Sequence, residues 1–176
     1  MDLQEFDKEL LEQQDESMEL ATFDSFTFES LLTENALPYL TYRVFQQYNF
    51  FETYFIEIEV LINFVREVHQ AYFKDNPYHN IVHIIDSMQG LYFMLTHGNF
   101  KKYLKKHDIF AGFVACLIQD FEHPGYTNQF VVRTKHPLAI RYSDQSVLEN
   151  HHLAAGFQVL FMTPKCNIME NMPYND

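Results

Sequence analysis

From Leu37 onward the apolar residues recur at helical spacing, and that periodicity restricts the chain to packed helices. In LPYLTYRVFQQYNF, Leu40, Val44 and Phe45 share one face, and in IEVLINFVREVHQAYF so do Val60, Ile62, Phe64, Val65, Val68 and Tyr72. Apolar residues make up 47% of the chain while Gly (5) and Pro (6) are scarce, which favours helix packing over a turn-rich β-protein. The expectation is an all-α, multi-helical fold, more than half helix with essentially no strand. At 176 residues one domain with a single core suffices.

Charge narrows the choice of partners. The formal net charge is −12, and Met1 to Leu20 alone holds eight acids and one Lys. Residues 1–20 therefore read as an acidic N-terminal arm, solvated or a fraying helix, while the aromatic FDSFTFESL (Phe23 to Leu31) is expected to fold back on the core. No basic surface compensates, which argues against nucleic acid as a partner. The one basic cluster, KKYLKK (Lys101 to Lys106), reads as a solvated helix start or loop, with an anionic surface as the alternative. Two cysteines, Cys116 in an apolar run and Cys166 near the end, cannot staple a domain of this size; a reducing, cytoplasmic compartment is expected, with Cys116 a buried thiol. No apolar leader opens the chain, and Ile109 to Ile118 is half the length of a bilayer span.

Three helical stretches carry nearly all the chemistry. DNPYHNIVHIIDSMQGLYFML predicts a helix from Tyr78 to Thr96 after the Asn76-Pro77 start signal. HDIFAGFVACLIQDFEHPGY predicts one that stops at Pro124-Gly125, and SDQSVLENHHLAAGFQVLF one opened by Ser143 or Asp144. His79 and His83 stand four apart, with Asp86 three further along on the same side; the pattern suits a metal clamp and also occurs on ordinary helix surfaces. Asp120 and His123 are an i, i+3 pair, and Gln119 and His123 an i, i+4 pair. His123 alone could simply cap a helix end, but Asp120 follows the apolar FVACLI, where an unpaired charge is costly and demands a cation or a donor. In the third stretch Glu149 is the functional candidate; of His151 and His152, about 100° apart, at most one faces a shared centre. Together these residues suit Zn, Mn or Mg and phosphoryl chemistry. No P-loop, GxGxxG, nucleophile-elbow Ser or CxxC is present, which weighs against nucleoside triphosphate, dinucleotide and thiol chemistries.

The strings NPYHNIVHIIDSMQ, DFEHPGYTNQF, TKHPLAIRYSDQSVLENHH and CNIMEN, in this order, resemble the catalytic domain of class I 3',5'-cyclic nucleotide phosphodiesterases, from about Phe23 to the end of the chain. The resemblance implies an HD-domain-like helical fold, of which residues 21–176 would be a truncated N-terminal part. It also implies a pocket holding Zn and Mg (or Mn), and hydrolysis of cAMP or cGMP to the 5'-monophosphate in signal transduction. By the same resemblance His79 is the general acid on the leaving 3' oxygen, and His83 and Asp120 are metal ligands, Asp120 serving both ions. His123 holds metal-bound water, Asn128 lines the pocket and Glu149 orients the attacking water.

Two departures qualify this. Gln119 stands where the family has a second zinc-binding His, and an amide oxygen is a weaker zinc ligand than imidazole. The sequence also stops at Asp176, before the part of the family domain that supplies a further zinc-binding carboxylate, the clamp on the purine and the base-reading Gln. Two readings stay open: an enzyme of this family, or a non-catalytic interaction module that keeps the fold. The polypeptide by itself is expected to be inactive, to bind Zn weakly, and to expose apolar surface through which it forms homo- or hetero-oligomers.

Overall fold

The computed structural model describes residues 8–173. They form α1 (Lys8–Met18), α2 (Ser25–Leu32), α3 (Ala36–Gln47), α4 (Phe50–Tyr54), α5 (Ile58–Ala71), α6 (Ile81–His97), α7 (Lys106–Ile118), α8 (Asn128–Arg133), α9 (Pro137–Arg141) and α10 (Val147–Met162). Short 3₁₀ turns lie at Thr33–Asn35 and Phe100–Tyr103, and there is no strand among the described residues. The all-α expectation holds.

Helical periodicity becomes a core in the middle of the bundle. Leu61, Phe64, Val65 and Val68 of α5 are fully buried, as are Leu37, Leu40, Val44 and Phe45 of α3, and these two helices pack on each other. On α6 the buried set Ile84, Ile85, Met88, Tyr92 and Leu95 keeps the same spacing against α3 and α7. With no Trp in the chain, Phe fills the volume: Phe50 meets Phe45 (5.3 Å between centroids, 83°) and Phe110 (5.3 Å, 84°) edge to face.

The acidic segment is held in place by contacts with distant elements. Asp15 of α1 accepts from Arg43 Nε (2.7 Å) and the Tyr39 hydroxyl (2.8 Å) and pairs with Arg43 Nη2 (2.7 Å). Glu19 accepts from the Tyr92 hydroxyl and pairs with His97 Nε2 (3.0 Å), while Gln89 donates to the Met18 and Leu20 carbonyls. The first seven residues of the predicted arm lie outside the described residues. In α2, capped by Asp24, Phe28 is buried but Phe26 is exposed, so only part of the aromatic stretch folds onto the core. Cys116 is half-buried, and burial pushes its thiol up to about 11.

Three helix boundaries differ from expectation, each for a stated reason. α6 begins at Ile81 because Asn76 Oδ1 takes the N–H groups of Tyr78 and His79, holding a turn, and Asn80 then caps the helix through Val82 and His83. His79 and His83 therefore do not share a helix face. α7 ends at Ile118, five residues before His123, because the Tyr72 hydroxyl captures the Asp120 N–H. α10 begins after Ser146; Ser143 and Asp144 adopt positive φ (53° and 61°) in the turn that follows α9.

Candidate metal centre

The centre is assembled where the ends of α5 and α7 meet the start of α6. Tyr72 closes α5; its hydroxyl donates to the Leu117 carbonyl (3.2 Å) and accepts from the Asp120 N–H (3.1 Å). That arrests α7 and presents Asp120 in a turn, and Glu122 at φ 56° bends the chain onward to His123. Asn76 Nδ2 donates to the His123 carbonyl (3.2 Å) while Asn76 Oδ1 holds the His79 N–H (3.0 Å), so one buried amide sets both histidines. A small apolar cluster of Val131, Ala139, Val147 and Leu148 fixes α8 and α9 to the start of α10. There Asn128 accepts from the Leu148 N–H and donates to both Glu149 oxygens (3.0 Å each).

These pieces enclose a cavity of about 410 Å³ lined by His79, Gln119, Asp120, His123, Asn128, Glu149 and His152, among others. Donor atoms of His79, Asp120 and His123 lie within 4.8 Å of one another. The His79 and His123 rings stack at 3.6 Å and 16°, and His123 stacks on His152 at 5.4 Å. Burial first, then the neighbouring His79 and His152, drive the His123 pKa down to about 4, against the opposite pull of Asp120 and Glu149. His123 is thus neutral, and because Nδ1 accepts from the Gly125 N–H (3.0 Å), its proton sits on Nε2. It is better suited to donate to an oxygen than to ligate. Glu149 is held below the usual carboxylate range by its own backbone N–H and by Asn128, and so stays ionised. His152 is lowered by burial; its Nδ1–H donates to the Phe121 carbonyl (2.6 Å).

The donor chemistry fits a divalent ion. His83 Nε2 and Asp120 Oδ2 are 3.2 Å apart, a separation that allows both to sit about 2.0–2.2 Å from one zinc-sized ion. Gln119 does not add an imidazole: its Nε2 donates to Ser87 Oγ (3.0 Å) and lies 3.4 Å from His83 Nε2, and an amide N–H cannot ligate.

Of the residues singled out in the sequence, His79, Gln119, Asp120, His123, Asn128 and Glu149 line the one cavity, with His83 against Asp120 at its edge. Asp86 does not line that cavity; it is exposed and lines an adjoining depression with His83, Phe26 and Tyr78, so His83 and Asp86 do share one side of α6. His151 turns away to Glu122 (2.9 Å). Sequence reasoning missed Tyr72 and Asn76, whose roles depend on contacts across the fold. It also left His152 unassigned, although its i, i+3 relation to Glu149 placed it on the same face.

A family model described as 3'5'-cyclic nucleotide phosphodiesterase matches residues 78–176. The chain is 35% identical over 156 residues, 88% of its length, to the dual specificity calcium/calmodulin-dependent 3',5'-cyclic nucleotide phosphodiesterase 1C of Mus musculus, covering 22% of that protein. It is 38% identical over 150 residues to the 3',5'-cyclic-nucleotide phosphodiesterase regA of Dictyostelium discoideum, covering 85% of the chain and 18% of regA. It is 34% identical over 161 residues to the human high affinity cAMP-specific and IBMX-insensitive 3',5'-cyclic phosphodiesterase 8A, covering 92% of the chain and 19% of that relative. The chain thus spans about a fifth of the length of these relatives.

Proposed function

Because the chain belongs to the 3'5'-cyclic nucleotide phosphodiesterase family, we propose that residues 21–176 supply the acid-and-metal part of a site that hydrolyses cAMP or cGMP, with residues 1–20 appended to it. The observation that carries this reading is the convergence of His79, Asp120 and His123 donor atoms within 4.8 Å, in a cavity that also holds the Asn128–Glu149 pair. His83 and Asp120 would hold a divalent ion, Zn in the first place, with Mg or Mn beside it on Asp120. Such ions supply positive charge against the phosphoryl oxygens and a nucleophilic water at neutral pH.

The chain's own residues do the rest. The ring nitrogens of His79 have no hydrogen-bond partner among the described residues, which leaves this side chain free to give a proton to the leaving 3' oxygen. His123, neutral with its proton on Nε2, donates to a water or phosphoryl oxygen. Glu149, ionised and clamped by both its oxygens on Asn128, orients the attacking water. No helix among the described residues is long and apolar enough to cross a membrane; the two unpaired cysteines fit a cytoplasmic setting.

An apolar groove of about 500 Å³ between α7 and α10, lined by Phe110, Val114, Ile118, Leu153, Phe157 and Met172, opens beside Gln119 and Glu149. It is the natural seat for further catalytic length of the kind the relatives possess, or for an oligomeric partner. A second reading, a non-catalytic module, is favoured by Gln119, whose amide occupies the zinc-ligand position while bonded to Ser87.

One experiment separates them. Zinc titration of the native chain, Gln119→His and Asp120→Ala is run beside cAMP and cGMP hydrolysis, with each chain joined to the remaining catalytic length of a relative. Gln119→His should tighten zinc, Asp120→Ala should abolish its binding, and only the joined Gln119→His protein should turn over, losing activity with His79→Ala. Turnover indifferent to His79→Ala would overturn the assignment of the acid.

A further inference from the structure

The segment joining α6 to α7 combines charge and apolar surface in a way no solvated linker requires. Every residue from Thr96 to Asp108 is exposed. Gly98 closes α6 through its N–H on the Met94 carbonyl (2.9 Å), Asn99 reverses the chain at φ 63°, and the 3₁₀ turn Phe100–Tyr103 follows. Phe100 is 51% exposed, Tyr103 75% and Leu104 41%. Lys101, Lys102, Lys105 and Lys106 are interleaved with them, so four of the chain's 12 Lys and Arg fall in six consecutive positions of a protein with net charge −12.

None of the four lysines has a carboxylate within ion-pair distance among the described residues. Lys101 Nζ lies 5.4 Å from the Tyr48 ring centroid, Lys102 Nζ 4.9 Å from that of Tyr103, and Lys106 Nζ donates to Thr53 Oγ1 (2.6 Å). The adjacent acid, Asp108, is occupied by the Lys105 backbone N–H (2.8 Å) and by His107 (3.4 Å).

We propose that this turn, Phe100 to Lys106, seats the chain on an anionic lipid surface. Lysines alone would suit any polyanion, but Phe100 and Leu104 gain nothing from a soluble one; they need an apolar phase. At a bilayer, Phe100, Tyr103 and Leu104 enter the boundary between headgroups and acyl chains, and the lysine stems lie along it with their ammonium groups at the phosphates. The acidic remainder of the protein is repelled from the same surface, which fixes the orientation: turn inward, bundle outward. The turn lies at the N-terminal end of α7 and the metal centre beyond its C-terminal end, about 20 Å away for a helix of this length, so binding leaves the cavity open. This inference is independent of the phosphodiesterase reading.

The chain has no Trp, so Tyr103→Trp introduces a single indole reporter at the centre of the turn. The probes are phosphatidylcholine vesicles with and without phosphatidylserine. Cosedimentation and a blue shift of the indole are expected with phosphatidylserine only, both declining as salt is raised. Lys101→Ala and Lys102→Ala should each weaken binding about fivefold, and Phe100→Ser with Leu104→Ser should abolish the blue shift, with zinc affinity unchanged in every variant. Absence of cosedimentation at low salt, or full affinity after loss of both lysines, overturns the proposal. So does capture by soluble polyglutamate or RNA with vesicles ignored, since that would identify a polyanion site.

Discussion

Removing one oxygen atom, in Tyr72→Phe, is expected to destabilise the fold and loosen Asp120 at once. Tyr72 is 5% exposed, and burial raises its hydroxyl pKa far above neutrality, so the group stays protonated and bonds in both directions: to the Leu117 carbonyl (3.2 Å) and from the Asp120 N–H (3.1 Å). The phenyl ring of the variant keeps its edge contact with Phe121 (6.3 Å, 81°), so no cavity opens and the loss is confined to hydrogen bonding. Two backbone groups lose their partner at about 1–3 kcal/mol each when buried; because Asp120 is only part-buried, the sum falls near 2–3 kcal/mol. For a chain of this size that is a fall in Tm of about 4–12 °C. Asp120 also loses the anchor that ends α7, so zinc affinity should drop about 10–100-fold, as for other losses of groups that orient a ligand. Calorimetric melting and zinc titration of the two proteins provide the measurement. An unchanged melt together with an unchanged zinc affinity would refute the claim that this hydroxyl terminates α7 and positions the carboxylate.

Two helical glycines should respond in opposite directions. A Cβ at Gly90 meets nothing within 4 Å, so Gly90→Ala should stabilise by about 0.5–1 kcal/mol through helix propensity. A Cβ at Gly156 would lie 2.9 Å from Ile118 Cβ, where α10 crosses the end of α7, so Gly156→Ala should cost about 1–3 kcal/mol despite the same propensity gain; urea midpoints decide both. For His123, the folded pKa of about 4 lies below the unfolded value of about 6.5, so its contribution is fully present above the unfolded value and is lost as pH falls towards about 4. His123→Asn cannot titrate there, so with chelator present the stability gap between native and variant protein should narrow on acidification. A constant gap would show that His123 is not held neutral.

The sequence alone determined the class of fold and the list of chemical groups. Helical spacing of residues such as Leu40, Val44, Phe64 and Val68 carries over directly into burial, because 3.6-residue periodicity is a local property and the buried face follows from it. The strings around His79, Asp120 and Glu149 likewise identify the family, since they name the donors whatever their final positions. Tertiary structure decided where helices stop and which donors meet. α7 runs out at Ile118 instead of Pro124 because a hydroxyl 45 residues earlier than Leu117 intervenes, and His79 stacks on His123 because Asn76 bridges two separate turns. A hydrogen bond between distant segments leaves no periodic trace in the chain, and its energy exists only after the core has brought the partners together; for the same reason Asp15 of α1 and Glu19 just beyond it, read locally as solvated, find Arg43 and Tyr39 waiting on α3 and Tyr92 and His97 on α6.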